Sequence, residues 1–279
     1  MKIITDSTAD LSAEEYEKQD IGVVPLSIRL GDRTWRDFFD IDPDTYYSLL
    51  RESKDFPVTS QPSPQAFIDA YAPFVEKGEP ILSIQISSKL SGTYQAAVLA
   101  RSHFSGASIA VVDSLQASLG LGMIVLLCAE KVNSGAPFEE VVEFARDLTG
   151  RVSTYFSVDS LEYLHRGGRI GKAQAFLGTL MKIKPLLKMT EGEILPAEKI
   201  RTSGKLLDRF VELVENAAHG EPRLRLSTAE SDNHDVATGL LKRLLQVPGV
   251  SLVHRCKLGG VITSHAGPGP LAVTFVGER

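Results

Sequence analysis

Residues 81–114 read ILSIQISSKLSGTYQAAVLARSHFSGASIAVVDS, a segment in which strand and helix patterns alternate. An apolar strand spans Ile81 to Ile86, a helix runs from about Gly92 to His103, and a second apolar strand spans Ser108 to Val112. Two strands joined through a helix form a parallel pair, because the helix carries the chain back to the starting end of the sheet. The segment therefore predicts a parallel sheet with helices on its faces.

The alternation continues on both sides of this segment. Before it lie a strand (Lys2 to Thr5), a helix to about Lys18 whose N-cap Ser12 has Glu15 at the capping-box position, and a strand (Gly22 to Leu30). Ser63-Pro64 predicts the start of a helix that continues to about Lys77. After the segment, a helix runs to about Val132. The first half is thus predicted to be an α/β domain with a mostly parallel sheet.

The second half has a different pattern. A chain of 279 residues suggests two domains at about 150 residues each, and we place the boundary near Gly150, giving 1–150 and 151–279. A mixed sheet is predicted from a strand at 152–158, a hairpin of 183–189 and 194–200 around Glu191-Gly192, a helix at 201–217, a strand at 224–228, a helix at 232–245 and three late strands. The predicted fold is therefore two α/β domains.

Composition excludes several classes of function. The balance of 30 Lys+Arg against 35 Asp+Glu gives a net charge of −5, which argues against nucleic acid or an anionic membrane as the main partner. Two cysteines are too few for a disulfide framework. The longest apolar run, Leu119 to Ala129, is about half of a membrane span, and the N-terminus lacks a signal peptide's apolar region. We expect a soluble cytoplasmic protein without stable membrane insertion.

Four polar motifs lie next to predicted strand ends or helix starts, where open α/β sheets bind ligands. Helix starts favour anions, and a serine next to glycine allows close approach of a ligand to the backbone. An arginine suits a carboxylate, and a loop histidine can contact a ligand or act as a base. Each motif also fits an ordinary turn or cap. The motifs are TSQPS (59–63), SSKLSGT (87–93), HRGGRIGK (165–172) and SHAGPGP (264–270).

Other chemistries have weaker support. HRGGRIGK departs from a nucleotide-binding P-loop, because Arg166 replaces its first glycine and Ala173 replaces its Ser/Thr. His254 and Cys256 are close in sequence, but no metal-binding motif accompanies them, so we predict no metal. A catalytic triad of Ser91, His265 and either Asp6 or Asp113 can be imagined, but no GxSxG elbow supports it.

Taken in order along the chain, the motifs resemble the DegV family of fatty-acid-binding proteins, which serve bacterial fatty acid kinase. The resemblance covers essentially the whole chain. It rests on DSTADLS, TSQPS, SSKLSGTYQ, VVDS with a downstream GLG, HRGGRIGK, LMKIKPLL, KIRTS and ITSHAGPGP.

The resemblance implies two α/β domains with one long-chain fatty acid buried between them, and no other cofactor. It implies that the fatty-acid carboxylate is bound by Thr59, Ser91, Arg169 and His265, with further contacts from Ser60, Gly92 and Gly168. A separate ATP-dependent kinase would phosphorylate the bound carboxylate, and Arg201 is a candidate contact with that kinase. The apolar segment 176–187 could line the acyl tail or belong to the core.

Three hypotheses therefore remain. The leading one is a protein that binds a fatty acid and presents it without being an enzyme. The second is a hydrolase or phosphatase that uses Ser91 and His265, and the third is a sensor of a small anion.

Overall fold

A computed structural model describes residues 1–177, 183–221 and 223–278. The strands are β1 (Lys2–Asp6), β2 (Ile21–Val24), β3 (Ser27–Leu30), β4 (Arg33–Arg36), β5 (Val58–Ser60), β6 (Ile81–Gln85), β7 (Ile109–Asp113), β8 (Ser153–Ser157), β9 (Lys184–Thr190), β10 (Glu193–Ile200), β11 (Leu224–Glu230), β12 (Val250–Lys257) and β13 (Leu271–Gly277). The α-helices are α1 (Ala13–Lys18), α2 (Pro43–Glu52), α3 (Pro64–Val75), α4 (Thr93–Ser102), α5 (Leu119–Asn133), α6 (Phe138–Arg151), α7 (Glu162–Arg166), α8 (Ser203–Ala218), α9 (His234–Leu244) and α10 (Gly260–Ala266).

The first half contains the predicted parallel sheet. Its order is β2-β1-β6-β7, and all three pairings are parallel. The predicted capping box at the start of α1 is present, since Ser12 and Glu15 bond each other's backbone N–H. A second, antiparallel sheet has the order β4-β3-β5, and β5 brings Thr59 opposite Ile28.

One predicted strand is wrong. The expected strand from Gly22 to Leu30 is two strands, β2 and β3, that belong to different sheets. Pro25 lies between them and has no N–H for a ladder, and the N–H of Leu26 donates to the Ser7 hydroxyl at 3.1 Å instead of to a strand. The chain therefore leaves the parallel sheet after Val24.

The second half contains a mixed six-stranded sheet of order β10-β9-β8-β13-β11-β12, in which only β11 and β12 pair in parallel. The predicted hairpin of β9 and β10 is present. The expectation of three late strands is wrong, because two strands, β12 and β13, flank the helix α10. The two α/β units are thus confirmed, whereas a boundary near Gly150 stays a prediction.

Helix α5 lies between the two main sheets and contacts strands of both. Every residue from Leu119 to Ala129 is buried, which explains why this helix is apolar on all sides. None of the helices in the described ranges combines the length and the apolar character that crossing a bilayer requires.

Candidate functional site

A cavity of about 370 Å³ lies between the two halves, which both contribute to its wall. Its volume falls in the lower part of the range of about 300–1,000 Å³ that is typical of small-molecule sites. Most of the wall is apolar, and the apolar residues are Leu26, Ile86, Leu90, Ala117, Leu119, Phe156, Leu164, Met189, Ile194, Leu258, Val261, Ile262, Ala266, Pro270 and Ala272. The polar residues are Thr59, Ser60, Gln61, Ser91, Ser118, Thr154, Arg169 and His265.

Thr59 and His265 form a direct contact across the two halves. Thr59 lies in the middle of β5, and His265 lies in the last turn of α10 rather than in the loop that the sequence predicted. The Thr59 Oγ1 and His265 Nε2 atoms are 2.8 Å apart. Although the two residues are 206 positions apart in the chain, they share one hydrogen bond in the cavity wall.

His265 is neutral at pH 7. Burial, together with the positive charge of Arg169, lowers the pKa of His265 to about 4. A neutral imidazole has one N–H donor and one acceptor nitrogen, and Thr59 uses only Nε2. The Nδ1 atom is buried and has no hydrogen-bond partner among the described residues. The site is therefore polar but incompletely paired.

Ser91 lies in the turn between β6 and α4. Its hydroxyl is 2.8 Å from that of Thr93 and also accepts the Thr93 N–H at 3.3 Å. The next residue, Gly92, does not line the cavity but permits a close contact, because a Cβ there would lie 2.0 Å from the Gln61 Oε1 atom. Gln61, which the sequence analysis did not single out, is thereby packed beside Ser91.

Arg169 connects the halves at the cavity. Its Nε donates to the Leu90 carbonyl at 3.1 Å, and its Nη1 donates to the Gly167 carbonyl at 2.9 Å. Both bonds hold the guanidinium of this exposed residue at the cavity wall that also contains Ser91 and His265.

Gly167 packs against the ring of His265, a role that was not predicted from the sequence. A Cβ at this position would lie 2.3 Å from the His265 Nδ1 atom. Gly168, which was predicted to contact the ligand, is exposed, is absent from the cavity wall, and has open space around it at a φ of +67°. The two adjacent glycines in HRGGRIGK indicate that the backbone is approached closely at this turn. The sequence alone does not show which of the two packs against a side chain.

The remaining predicted positions lie as follows. Ser60 lines the cavity, whereas Arg201 is exposed immediately before the N-cap of α8 and does not line it. Within the described part of segment 176–187, no residue lines the cavity. Residues 178–182 of that segment lie outside the described residues.

The imagined catalytic triad is not assembled in the described residues. The Ser91 hydroxyl contacts Thr93, and His265 contacts Thr59. The Asp6 carboxylate accepts N–H groups of Thr8 and Ile86, and Asp113 accepts those of Ser88 and Leu115. These contacts provide no chain of hydrogen bonds from an acid through histidine to serine.

No group of three or more potential metal ligands occurs within residues 1–177, 183–221 and 223–278. His254, which the sequence places near Cys256, contacts the Glu15 carboxylate through Nδ1 at 2.6 Å. Its Nε2 lies 3.2 Å from the Asp10 carbonyl, so both ring nitrogens face protein groups.

Comparison with known proteins identifies the family. The model of the DegV family, a family of uncharacterised proteins, matches residues 1–278. A DegV domain-containing protein of Streptomyces coelicolor is 38% identical over 273 residues, which are 97% of this chain and 96% of that protein. Protein DegV of Bacillus subtilis is 32% identical over 276 residues, which are 98% of each chain.

Solved structures agree with this result. A DegV family protein from Thermus thermophilus, described by its fatty acid binding, has a TM-score of 0.94 and 38% identity, with 99% of each chain covered. A protein from Eubacterium ventriosum, described as binding stearic acid, has a TM-score of 0.91 and 30% identity, with 99% of this chain and 97% of that chain covered. The predicted family resemblance is confirmed: this chain belongs to the DegV family.

Proposed function

We propose that this protein binds one long-chain fatty acid in the cavity and presents its carboxylate to a separate ATP-dependent kinase, which forms an acyl phosphate. The observation that carries the proposal is the cavity between the halves, whose apolar wall is interrupted by the polar side chains of Thr59, Ser91, Arg169 and His265. The fatty acids bound by structural relatives support the choice of ligand.

The polar group suits a carboxylate. A buried carboxylate is unstable unless hydrogen bonds or a positive charge compensate for lost hydration. Arg169 supplies the charge, and the Ser91 hydroxyl can donate. The Thr59–His265 pair supplies one more donor, which depends on the tautomer of the ring. Either Thr59 donates to Nε2 and leaves the Nδ1–H, which has no partner among the described residues, to donate, or the Nε2–H donates to Thr59 and leaves the Thr59 hydroxyl to donate. In the proposed complex, the carboxylate occupies the place where these donors converge.

The apolar wall suits an acyl chain. Each buried methylene contributes about 0.8 kcal/mol, so ten of them contribute about 8 kcal/mol. Association itself costs an estimated 4–15 kcal/mol in lost freedom of motion, so a long chain is needed for tight binding. A short polar metabolite would leave the apolar wall without a partner, which is why we prefer a fatty acid to a small anion.

Presentation to a kinase is the second part of the proposal. The protein itself would hold the ligand without cofactor or metal and without catalysing a reaction, and Arg201 would contact the kinase from the surface. Arg201 is exposed and lies outside the cavity wall. Replacing it by alanine should therefore leave oleate affinity unchanged while slowing acyl-phosphate formation by a bacterial fatty acid kinase.

We also propose a cytoplasmic location, where ATP is available to such a kinase. Both cysteines, Cys128 and Cys256, are free and buried, and burial raises the pKa of each thiol. Unreactive reduced thiols are compatible with a reducing compartment.

The test is a calorimetric titration with oleate after delipidation. Arg169→Ala should weaken binding about 10- to 150-fold, because hydrogen bonds to charged groups contribute about 1.5–3 kcal/mol. Ser91→Ala should weaken it by a comparable factor of about tenfold or more, because the hydroxyl would donate to the same charged carboxylate.

Two exposed residues away from the cavity provide matched controls. Arg243→Ala removes a guanidinium that bonds Asp208, and Ser48→Ala removes a hydroxyl that bonds the Asp44 carbonyl. Both controls should bind oleate as the wild type does. If Arg169→Ala and Ser91→Ala also bound with wild-type affinity, the proposed carboxylate site would be wrong.

A further inference from the structure

Three buried carboxyl groups near the cavity have no part in the proposed binding of the fatty acid. Asp6, Asp10 and Asp37 come from the first half and are each about 1% exposed or less. Among the described residues, the hydrogen bonds of Asp6 stay within its own half, since it accepts from the N–H and hydroxyl of Thr8 and from the Ile86 N–H. Asp10 and Asp37 instead reach across to the second half.

The N-terminal end of α10 receives both of these side chains. The Asp10 Oδ1 atom accepts the Gly259 N–H at 3.0 Å, and the Asp37 Oδ1 atom accepts the Gly260 N–H at 2.9 Å. Gly259 is the N-cap of α10 and Gly260 is its first residue, and the N-cap has no side chain to make these bonds. Both backbone donors are thus satisfied by carboxyl groups of the other half.

Asp10 also holds the opposite wall of the cavity. Its Oδ2 atom accepts the Ser118 hydroxyl at 2.5 Å. Ser118 lines the cavity and has φ 53° and ψ −135°, a backbone conformation that normally requires glycine. One carboxyl group therefore fixes a strained cavity residue of the first half and the start of α10 in the second half.

The other end of α10 carries His265, whose contact with Thr59 joins the two halves again. Tyr46 holds the middle of the helix, since its hydroxyl lies 2.5 Å from the Ser264 hydroxyl. Because α10 has only seven residues, a displacement of its first residues moves the histidine by a similar amount.

We propose that Asp10 and Asp37 are positioning residues, which hold the N-terminal end of α10 against the first half so that His265 stays in register with Thr59 for binding of the fatty-acid carboxylate. The ligand in this proposal rests on the proposed function, whereas the positioning of His265 by Asp10 and Asp37 does not depend on it. It assigns to the DSTADLS motif a role outside the ligand contacts.

The test uses variants on both sides of this contact. Asp10→Gly removes both hydrogen bonds of Asp10 and suits its φ of 53°, whereas Asp10→Asn keeps an acceptor oxygen for the Gly259 N–H. Gly259→Ala disturbs the contact from the other half, because its Cβ would lie 2.8 Å from the Asp10 Oδ1 atom and 2.4 Å from the Phe38 ring. Tyr71→Phe is the control, since it removes a buried hydrogen bond, between the Tyr71 and Ser83 hydroxyls, that involves neither α10 nor the cavity wall.

The first readout is the pH titration of the His265 ring nitrogens by NMR of histidine-labelled protein without ligand, assigned with His265→Gln. In the wild type the pKa should be about 4. Asp10→Gly and Gly259→Ala should move it toward 6.5, the ordinary value, and should weaken oleate binding at least tenfold. Asp10→Asn and Tyr71→Phe should keep the wild-type titration and an affinity within twofold of the wild type.

The outcomes separate the two proposals. If Asp10→Gly or Gly259→Ala folds and keeps the wild-type titration of His265, the positioning role is overturned. If Asp10→Gly does not fold, the titration of His265 in Gly259→Ala is the deciding result. If Tyr71→Phe moves His265 as much as Asp10→Gly does, the effect is general destabilisation and the proposal fails. If the variants move His265 but the wild type does not bind oleate, the positioning role stands and the proposed function fails.

Discussion

The adjacent glycines Gly167 and Gly168 allow a sharp test of the site, because the structure predicts opposite effects for the same substitution. In Gly167→Ala, the new Cβ would lie 2.3 Å from the His265 Nδ1 atom, while ordinary contact begins near 3.4 Å. The ring would have to retreat by about 1 Å. Its other nitrogen is already 2.8 Å from Thr59, so the ring cannot move that way and must rotate out of the site.

The expected cost of Gly167→Ala is mostly a cost to binding. Gly167 has φ −74° and ψ −8°, which alanine adopts without strain. Losing the contribution of His265 to a bound carboxylate should cost about 1.5–3 kcal/mol of binding free energy, or about 10- to 150-fold in Kd. The free energy of unfolding should change less than the binding free energy does.

Gly168→Ala should behave in the opposite way. Its Cβ would meet no atom within 4 Å, but the φ of +67° is unfavourable for alanine. The free energy of unfolding should fall by about 1 kcal/mol, with no change in oleate affinity. Calorimetric titration with oleate and urea denaturation of both variants measure the two effects. Wild-type affinity in Gly167→Ala, or a loss of affinity in Gly168→Ala, would refute the assignment of Gly167 as the support of His265.

Three further predictions concern stability. Burial raises the pKa of Asp37 from 3.8 to about 7, so the protonated carboxyl stabilises the folded state below pH 3.8, and this stability is lost as the pH rises through 7. His265 acts oppositely: its pKa falls from 6.5 to about 4, so its contribution is complete above pH 6.5 and is lost as the pH falls through 4. Urea denaturation at pH 4, 5.5 and 7 measures both effects. Compared with the wild type, Asp37→Asn should lose less free energy of unfolding as the pH rises toward 7. His265→Gln should lose less than the wild type as the pH falls toward 4. Ser63→Ala should lower the free energy of unfolding by about 1 kcal/mol without changing oleate affinity, because Ser63 accepts the Ala66 N–H as the N-cap of α3 and does not line the cavity.

Local patterns were sufficient to predict much of the fold. The strand and helix alternation of residues 81–114 gave β6, α4 and β7 in a parallel sheet, and the hairpin around Glu191-Gly192 was also correct. Helices α2 and α6 were not predicted, although Asp42 before Pro43 is a helix-start signal of the same kind as Ser63 before Pro64. Helix α10 was missed because contacts distant in sequence, from Asp10 and Asp37, satisfy the N–H groups at its start.

The site was predictable as a set of motifs but not as a geometry. The family resemblance carried by the ordered motifs implied Thr59, Ser91, Arg169 and His265, all of which line one cavity. Sequence spacing could not show that the hydroxyl of Thr59 contacts His265, because residues 206 positions apart meet only through the tertiary fold. For the same reason, the role of Gly167 could not be separated from that of Gly168.

Mass spectrometry of the purified protein, first under native and then under denaturing conditions, tests the central claim most directly. The protein should be expressed without added lipid, so that any ligand comes from the host cell. We predict a native mass that exceeds the chain mass by that of one long-chain fatty acid, which is released on denaturation. A protein that carries no fatty acid and takes up neither oleate nor palmitate when they are added would contradict the account.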